Sequence, residues 1–149
     1  MLTVHSRSHL ADEAATLHFG ERLGRELTSA ATVYLEGDLG AGKTTLTRGV
    51  LQALGYTGSV RSPTYTLIES YTLPGGTVHH LDLYRLGSAD ELYDLGIDDL
   101  AGEPCVWLIE WPALAAGVLP PWTHRLVLSV SGTGRDVDLA RRTSDSTAD

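Results

Sequence analysis

The sequence predicts an α/β fold, a mixed and partly antiparallel sheet flanked by helices, in one domain. Three observations predict it. A strand, a glycine loop and a helix follow one another between residues 32 and 54. Pro74-Gly75-Gly76 separates two alternating stretches, the pattern of a β-hairpin. Cys105-Val106-Trp107-Leu108-Ile109 is a continuous apolar run, as a central strand covered on both faces requires.

The elements follow in order. Residues 2–6 read as a short edge strand. Ser8 reads as an N-cap, with Asp12 and Glu13 in the first turn of a helix. Leu10, Ala14, Leu17, Gly24 and Leu27 line one face of that helix. Thr32-Val33-Tyr34-Leu35-Glu36 is the strand before the glycine loop. Leu46, Val50, Leu51 and Leu54 then recur at helical spacing, and Gly55 is the stop. Residues 55–64 form a polar, Gly-rich connection, and the hairpin arms are Tyr65 to Leu73 and Thr77 to Tyr84. Ser88-Ala89-Asp90-Glu91 is a capping box opening a helix with Leu92 and Leu95, ended by Gly96. A short helix follows at 97–101. Pro120-Pro121 breaks the chain before a strand at 124–131, and 135–139 is the last hairpin arm. The domain spans 1–140, and the polar residues 141–149 are predicted to be a disordered tail.

Composition bounds the function. A chain of 149 residues with 42% hydrophobic residues buries a real core as one domain. No apolar run approaches membrane-spanning length and the N-terminus has no signal-peptide pattern, so a cytoplasmic protein with no membrane association is expected. Cys105 is the only cysteine, which excludes an internal disulfide and a cysteine-based zinc site. The net charge of −8 argues against gripping nucleic acid directly, because phosphate contacts need a basic face. It leaves room for an assembly in which another subunit holds RNA.

The chemistry centres on residues 37–44, Gly-Asp-Leu-Gly-Ala-Gly-Lys-Thr, which match G-x-x-x-x-G-K-[ST]. This is the phosphate-loop signature, and with strand before and helix after it predicts a P-loop NTPase fold binding a nucleotide with Mg²⁺. Gly37, Gly40 and Gly42 free the backbone, so that N–H groups from Gly37, Asp38, Leu39, Gly40, Ala41 and Gly42 onward to Thr45 wrap a phosphate at the helix N-terminus. Lys43 reaches the β- and γ-phosphates, and the Thr44 hydroxyl is the Mg²⁺ ligand. Lys43 is also the only lysine among 11 basic residues, a compact ammonium where a guanidinium fork fits badly.

Such a site needs a carboxylate from a neighbouring strand end, for the metal and for water. Glu110 closes the apolar run 105–109, and Asp82 follows His80-Leu81 at the end of the hairpin. For each, a solvated strand-end acid is the plain alternative. Thr64 lies in the Gly-rich connection, where a switch hydroxyl that senses the γ-phosphate is often placed, although Ser-Pro-Thr is equally a turn. His79 and His80 are adjacent in a strand and point to opposite faces, which disfavours joint chelation. Trp111 either stacks near the nucleotide or packs in the core, and core packing is the simpler expectation.

Four stretches then resemble one family. They are Leu-Glu-Gly-Asp-Leu-Gly-Ala-Gly-Lys-Thr-Thr at 35–45, Ser-Pro-Thr-Tyr-Thr-Leu at 62–67, His-Leu-Asp-Leu-Tyr-Arg at 80–85 and Ile-Glu-Trp-Pro at 109–112. Over residues 8–139 the chain resembles the TsaE (YjeE) family, the ATPases of bacterial tRNA threonylcarbamoyladenosine biosynthesis. The resemblance implies that Thr44, Asp82 and Glu110 lie at the Mg²⁺ and γ-phosphate, that Thr64 is the switch threonine, and that Trp111 sits beside the nucleotide. It also implies a nucleotide-side role for Arg135. It further implies that ATP hydrolysis supports an assembly with TsaB and TsaD, in which TsaD modifies the adenosine beside the anticodon and tRNA is met only indirectly. Tyr65 stands where phenylalanine is usual, and His79 where an aromatic is common.

Two rivals remain. A small-molecule kinase of this fold closes an Arg-bearing lid over the phosphates, but segment 85–104 carries Arg85 alone against Asp90, Glu91, Asp94, Asp98, Asp99 and Glu103. The other is a non-hydrolysing switch that changes partners with nucleotide state. A GTPase reading fails because the chain has no asparagine for an N-K-x-D motif.

Overall fold

The structure, a computed structural model, describes residues 2–27, 30–38, 40–60, 63 and 66–143. In chain order the elements are β1 (Leu2–Leu10), α1 (Glu13–Glu26), β2 (Ala31–Glu36), α2 (Lys43–Ala53), β3 (Ile68–Leu73), β4 (Gly76–Asp82), α3 (Asp90–Asp94), α4 (Ile97–Ala101), β5 (Val106–Glu110), a 3-10 turn (Pro112–Ala115), β6 (His124–Ser131) and β7 (Gly134–Thr143). The strands form one sheet in the order β1-β7-β6-β2-β5-β4-β3. Its centre, β6-β2-β5-β4, is parallel, and antiparallel strands close both ends. This is the mixed, partly antiparallel α/β sheet the sequence predicts. Among the described residues no helix is long and apolar enough to cross a membrane.

Period-two alternation sorts the side chains onto two faces. Val33, Leu35, Val106, Leu108 and Leu126 cluster with Leu46, Val50 and Leu51 of α2. Leu81, Trp107 and Ile109 cluster on the other side with Leu92, Ile97, Ala115 and Leu119. Each fully buried leucine contributes roughly 1.5–3 kcal/mol of transfer free energy. Residues of β4 and β5 that share the α2 side therefore include Val78, His80 and Asp82, and Val106, Leu108 and Glu110.

Glycines set the distance between α1 and α2. A Cβ on Gly20 would lie 2.2 Å from the Leu46 carbonyl oxygen, and one on Gly49 would lie 2.3 Å from that of Leu17. The two helices meet backbone to backbone, which brings the N-terminus of α1 beside that of α2.

The structure corrects several local expectations. β1 runs to Leu10 rather than ending at residue 6, because it pairs with β7 along its length, from Leu2 opposite Thr143 to Leu10 opposite Arg135. Ser8 is therefore a strand residue, and Asp12 caps α1, its carboxylate accepting from the Ala15 N–H at 2.8 Å. The buried face of α1 is Thr16, Phe19, Gly20, Leu23 and Gly24, whereas Ala14 is exposed and Leu17 only half-buried. The contact stripe is centred on Gly20 and Gly24, which allow close approach, and takes in Phe19 and Leu23. The capping box forms by half: the Glu91 Oε1 accepts from the backbone of Gly87 and Ser88 at 2.9 and 3.3 Å, with no side-chain cap on α3. Leu95 stays exposed. The second hairpin arm ends at Asp82, two residues before Tyr84. β7 continues through Thr143, past the boundary expected at residue 140, because β6 and β1 pair with it on its two sides. Residues 144–149 lie outside the described residues.

Candidate functional site

The loop from β2 to α2 is built on backbone shapes that a side chain would obstruct. Gly37 has φ 147°, and a Cβ there would meet the Leu128 carbonyl oxygen at 2.5 Å. A tight turn follows, with the Ala41 N–H donating to the Asp38 carbonyl at 3.1 Å. Gly42, with φ 102°, is the N-cap of α2 and brings no side chain to the helix end. That end opens on a cavity of about 520 Å³ lined by Gly40, Gly42, Lys43, Thr44 and Thr45. The size suits a small-molecule ligand, and a helix N-terminus favours an anion.

Lys43 is buried, at 5% exposure, where an unpaired ammonium is rare. Its Nζ donates to the Gly37 carbonyl at 2.5 Å and lies 4.0 Å from the centroid of the Trp111 ring. Burial pulls its pKa below the ordinary lysine value, and the charges of Glu110, Asp82 and Asp38 push it back up.

The two acids stand side by side. Asp82 and Glu110 end adjacent parallel strands and are direct register partners, at 4% and 3% exposure. Asp82 Oδ1 accepts from the Tyr84 N–H at 3.1 Å. Glu110 Oε2 lies 2.7 Å from His80 Nε2. Both line the cavity, as do Trp111 and Arg135. Arg135 donates from Nη2 to the Gly40 carbonyl at 3.1 Å and from Nη1 to the Gly134 carbonyl at 2.8 Å, so β7 buttresses the loop.

Trp111 leaves β5 in a left-handed conformation, φ 59° and ψ 49°. For a bulky residue this costs about 1–2 kcal/mol, a strain that marks functional sites more often than packing. The ring stacks on Tyr84 with centroids 5.1 Å apart and planes at 22°. It is half-buried, packed against the second core cluster as the simpler expectation has it, and it also lines the cavity wall.

Of the residues singled out from the sequence, Gly40, Gly42, Lys43, Thr44, Thr45, Asp82, Glu110, Trp111 and Arg135 share one cavity. Asp38 is exposed, and Ala41 turns its side chain into the core. Leu39 and Thr64 lie outside the described residues. The wall also includes Asp12, Glu13 and Thr16 of α1 and Thr133 and Gly134 of the last hairpin, which the sequence did not single out. Asp12 and Glu13 carried a helix-start signal only, and nothing local tied that helix to the loop.

The oxygens of Thr44, Asp82 and Glu110 are hard donors, the set that suits Mg²⁺. Among the described residues no group of three His, Cys, Asp or Glu could hold a metal without further ligands. His79 and His80 do face apart: His79 Nδ1 lies 2.7 Å from Ser70 Oγ and its ring 4.9 Å from Trp107, while His80 turns to Glu110.

Comparison with known proteins gives the family. A family model described as "Threonylcarbamoyl adenosine biosynthesis protein TsaE" matches residues 10–142. A tRNA threonylcarbamoyladenosine biosynthesis protein TsaE from Haemophilus influenzae is 41% identical over 141 residues, 91% of this chain and 89% of that protein. One from Bacillus subtilis is 43% identical over 98 residues, 66% of this chain and 61% of that protein. A crystal structure of Bacillus subtilis YdiB superposes with a TM-score of 0.79 at 26% identity, covering 95% of this chain and 88% of that one. The chain belongs to the TsaE family of tRNA threonylcarbamoyladenosine biosynthesis proteins.

Proposed function

We propose that the chain is an Mg²⁺-dependent ATP hydrolase that supports threonylcarbamoyl modification of the adenosine beside the anticodon, acting in the cytoplasm with TsaB- and TsaD-type partners. The observation that carries this reading is the register pair Asp82 and Glu110, set beside Lys43 and Thr44 at the mouth of one glycine loop. A phosphate-binding loop alone only binds. Two buried strand-end carboxylates next to it supply what metal and water positioning require.

The residues divide the work. The loop backbone and the start of α2 hold the β-phosphate. The Lys43 ammonium exchanges the Gly37 carbonyl for the β- and γ-phosphate oxygens, a charge-assisted contact that strengthens as charge builds on the transferring group. Thr44, Asp82 and Glu110 are the residues that would hold Mg²⁺, which when bound neutralises phosphate charge. The acids also orient the attacking water. Thr64 is assigned the γ-phosphate-sensing hydroxyl, and Arg135 a contact on the nucleotide side, on the strength of the family resemblance. The net charge of −8 leaves tRNA to a basic partner.

The test is ATP turnover by the purified chain, alone and with TsaB and TsaD homologues, with and without Mg²⁺. Mg²⁺-dependent hydrolysis stimulated by the partners is expected. Tight nucleotide binding with no hydrolysis under any of these conditions would leave a nucleotide-dependent switch instead.

A further inference from the structure

We propose that His80 is a positioning residue for Glu110: it donates a hydrogen bond that holds the carboxylate away from Lys43 and leaves one oxygen for the site. This rests on the reading of the chain as an ATP hydrolase.

The hydrogen-bond inventory of His80 carries the argument. The residue is fully buried, at 0% exposure. Nε2 lies 2.7 Å from Glu110 Oε2, and Nδ1 is buried with no hydrogen-bond partner among the described residues. A carboxylate only accepts, so the proton of the pair belongs on Nε2. Nδ1 is then a bare lone pair, and no N–H is stranded. A proton on Nδ1 instead would leave a buried donor without an acceptor and two acceptors facing each other.

Geometry gives the bond its consequence. His80 and Asp82 are two apart on β4 and share a face, and Asp82 is the register partner of Glu110. The bond thus ties β5's terminal acid sideways to β4, one step below the cavity. Of the carboxylates acting on Lys43, Glu110 acts most strongly. A free Glu110 would swing onto that ammonium and occupy the cation that the phosphates need. With Oε2 held by His80, Oε1 is the oxygen available to water or metal. Fixing a ligand's orientation from behind in this way commonly changes affinity or activity by about 10–100-fold.

The experiment compares wild type, His80→Leu and His80→Gln in the full chain. Gln carries its amide nitrogen the same number of bonds from Cβ as imidazole Nε2, so it keeps the donor. Three measurements are made: steady-state kinetics giving kcat and KM for ATP, the Mg²⁺-dependent gain in ADP affinity by calorimetry, and the ¹⁵N-imidazole spectrum without nucleotide. His80→Leu is expected to lower kcat by about tenfold or more while KM moves less than about threefold, and His80→Gln to recover most of the loss. The spectrum is expected to show a proton on His80 Nε2.

A folded His80→Leu with wild-type kcat overturns the proposal. So do equal losses in His80→Leu and His80→Gln, which would make the role packing, and so does an Nε2 that carries no proton. If His80→Leu does not fold, His80→Gln and the spectrum decide. If wild type hydrolyses no ATP with or without partners, the hydrolase reading fails by itself. The ADP measurement then decides the positioning role: loss of the Mg²⁺-dependent gain in His80→Leu supports it, and an unchanged gain overturns it.

Discussion

The Lys43 ammonium lies 4.0 Å from the centroid of the Trp111 ring, and Trp111 reaches it from a left-handed backbone. One cation thus has two partners, an aromatic face and the Gly37 carbonyl, and both are replaceable by phosphate oxygens. The contact links the only lysine to the residue that follows Glu110, so a nucleotide bound as proposed would change the environment of Trp111 through a single side chain.

Intrinsic fluorescence should report that coupling. ADP or ATP with Mg²⁺ draws Lys43 toward phosphate and changes the field on the indole. Trp111→Phe should remove most of the change. Trp107 is buried against His79, and Trp122 is covered by the Arg142 guanidinium at 3.6 Å, so Phe at either position should leave the signal largely intact. Retention of the full signal in Trp111→Phe, with loss in Trp122→Phe, would move the site toward the Pro120-Pro121 segment.

Lys43→Ala should weaken ATP binding by at least ~1.5–3 kcal/mol, the usual range for a hydrogen bond to a charged group. The variant should fold, because the ammonium is held by contacts to a carbonyl and a ring face rather than by an ion pair. Calorimetry with Mg²⁺-ATP checks this, and unchanged affinity would contradict the loop assignment.

Asp82→Ala and Glu110→Gln should both lose hydrolysis while retaining weak nucleotide binding through the loop backbone. Glu110→Gln is the cleaner change at that position. Glu110→Ala would strand the buried His80 N–H, at a cost of about 1–3 kcal/mol of stability. Single-turnover rates beside thermal melts separate the two effects. A wild-type rate in either variant would remove that acid from the chemistry.

Gly49→Ala tests the helix contact that carries α1 to the site. Its Cβ would lie 2.3 Å from the Leu17 carbonyl oxygen, backbone that yields only by moving the helix. Overpacking of this kind costs about 1–3 kcal/mol, despite the higher helix propensity of alanine. Urea unfolding is the measurement, and a gain in stability would show that the helices are less closely packed than they are here.

Stability should fall as pH drops below about 7 through a cluster far from the cavity. Burial holds His124 below its ordinary value of 6.5. The unfolded chain therefore takes up a proton there first, and folding loses free energy as pH falls from 6.5 to the folded value. The hydrogen bond from Arg141 holds Glu26 below 4.5, so its contribution is present above 4.5 and is lost as pH falls through the lowered folded value. Melting temperature against pH should decline in these two windows, and His124→Gln should flatten part of the upper one, to which the buried His79, also held below 6.5, contributes the rest. An unchanged upper decline in that variant would place the effect on another group.

The glycine loop between β2 and α2 was legible in the sequence because its backbone requirements are local. Gly37, Gly42 and Lys43 are specified by backbone dihedrals and reach within one short segment. Asp82 and Glu110 were legible as strand-end acids, because a hydrophobic run followed by a carboxylate needs no partner to be seen. Their alignment as register partners, and the His80 bond that joins their strands, came from the parallel pairing of β4 with β5. The N-terminal helix shows the opposite case. Its start was misplaced because Ser8 looks like a cap only until β7 takes it into the sheet, opposite Val137. Asp12 and Arg135 reach one cavity through that same pairing, between segments more than a hundred residues apart along the chain. Composition and spacing determine which residues build the glycine loop and place its lysine. Long-range strand pairing and a glycine-lined helix contact, whose partners are remote in sequence, decided what surrounds it.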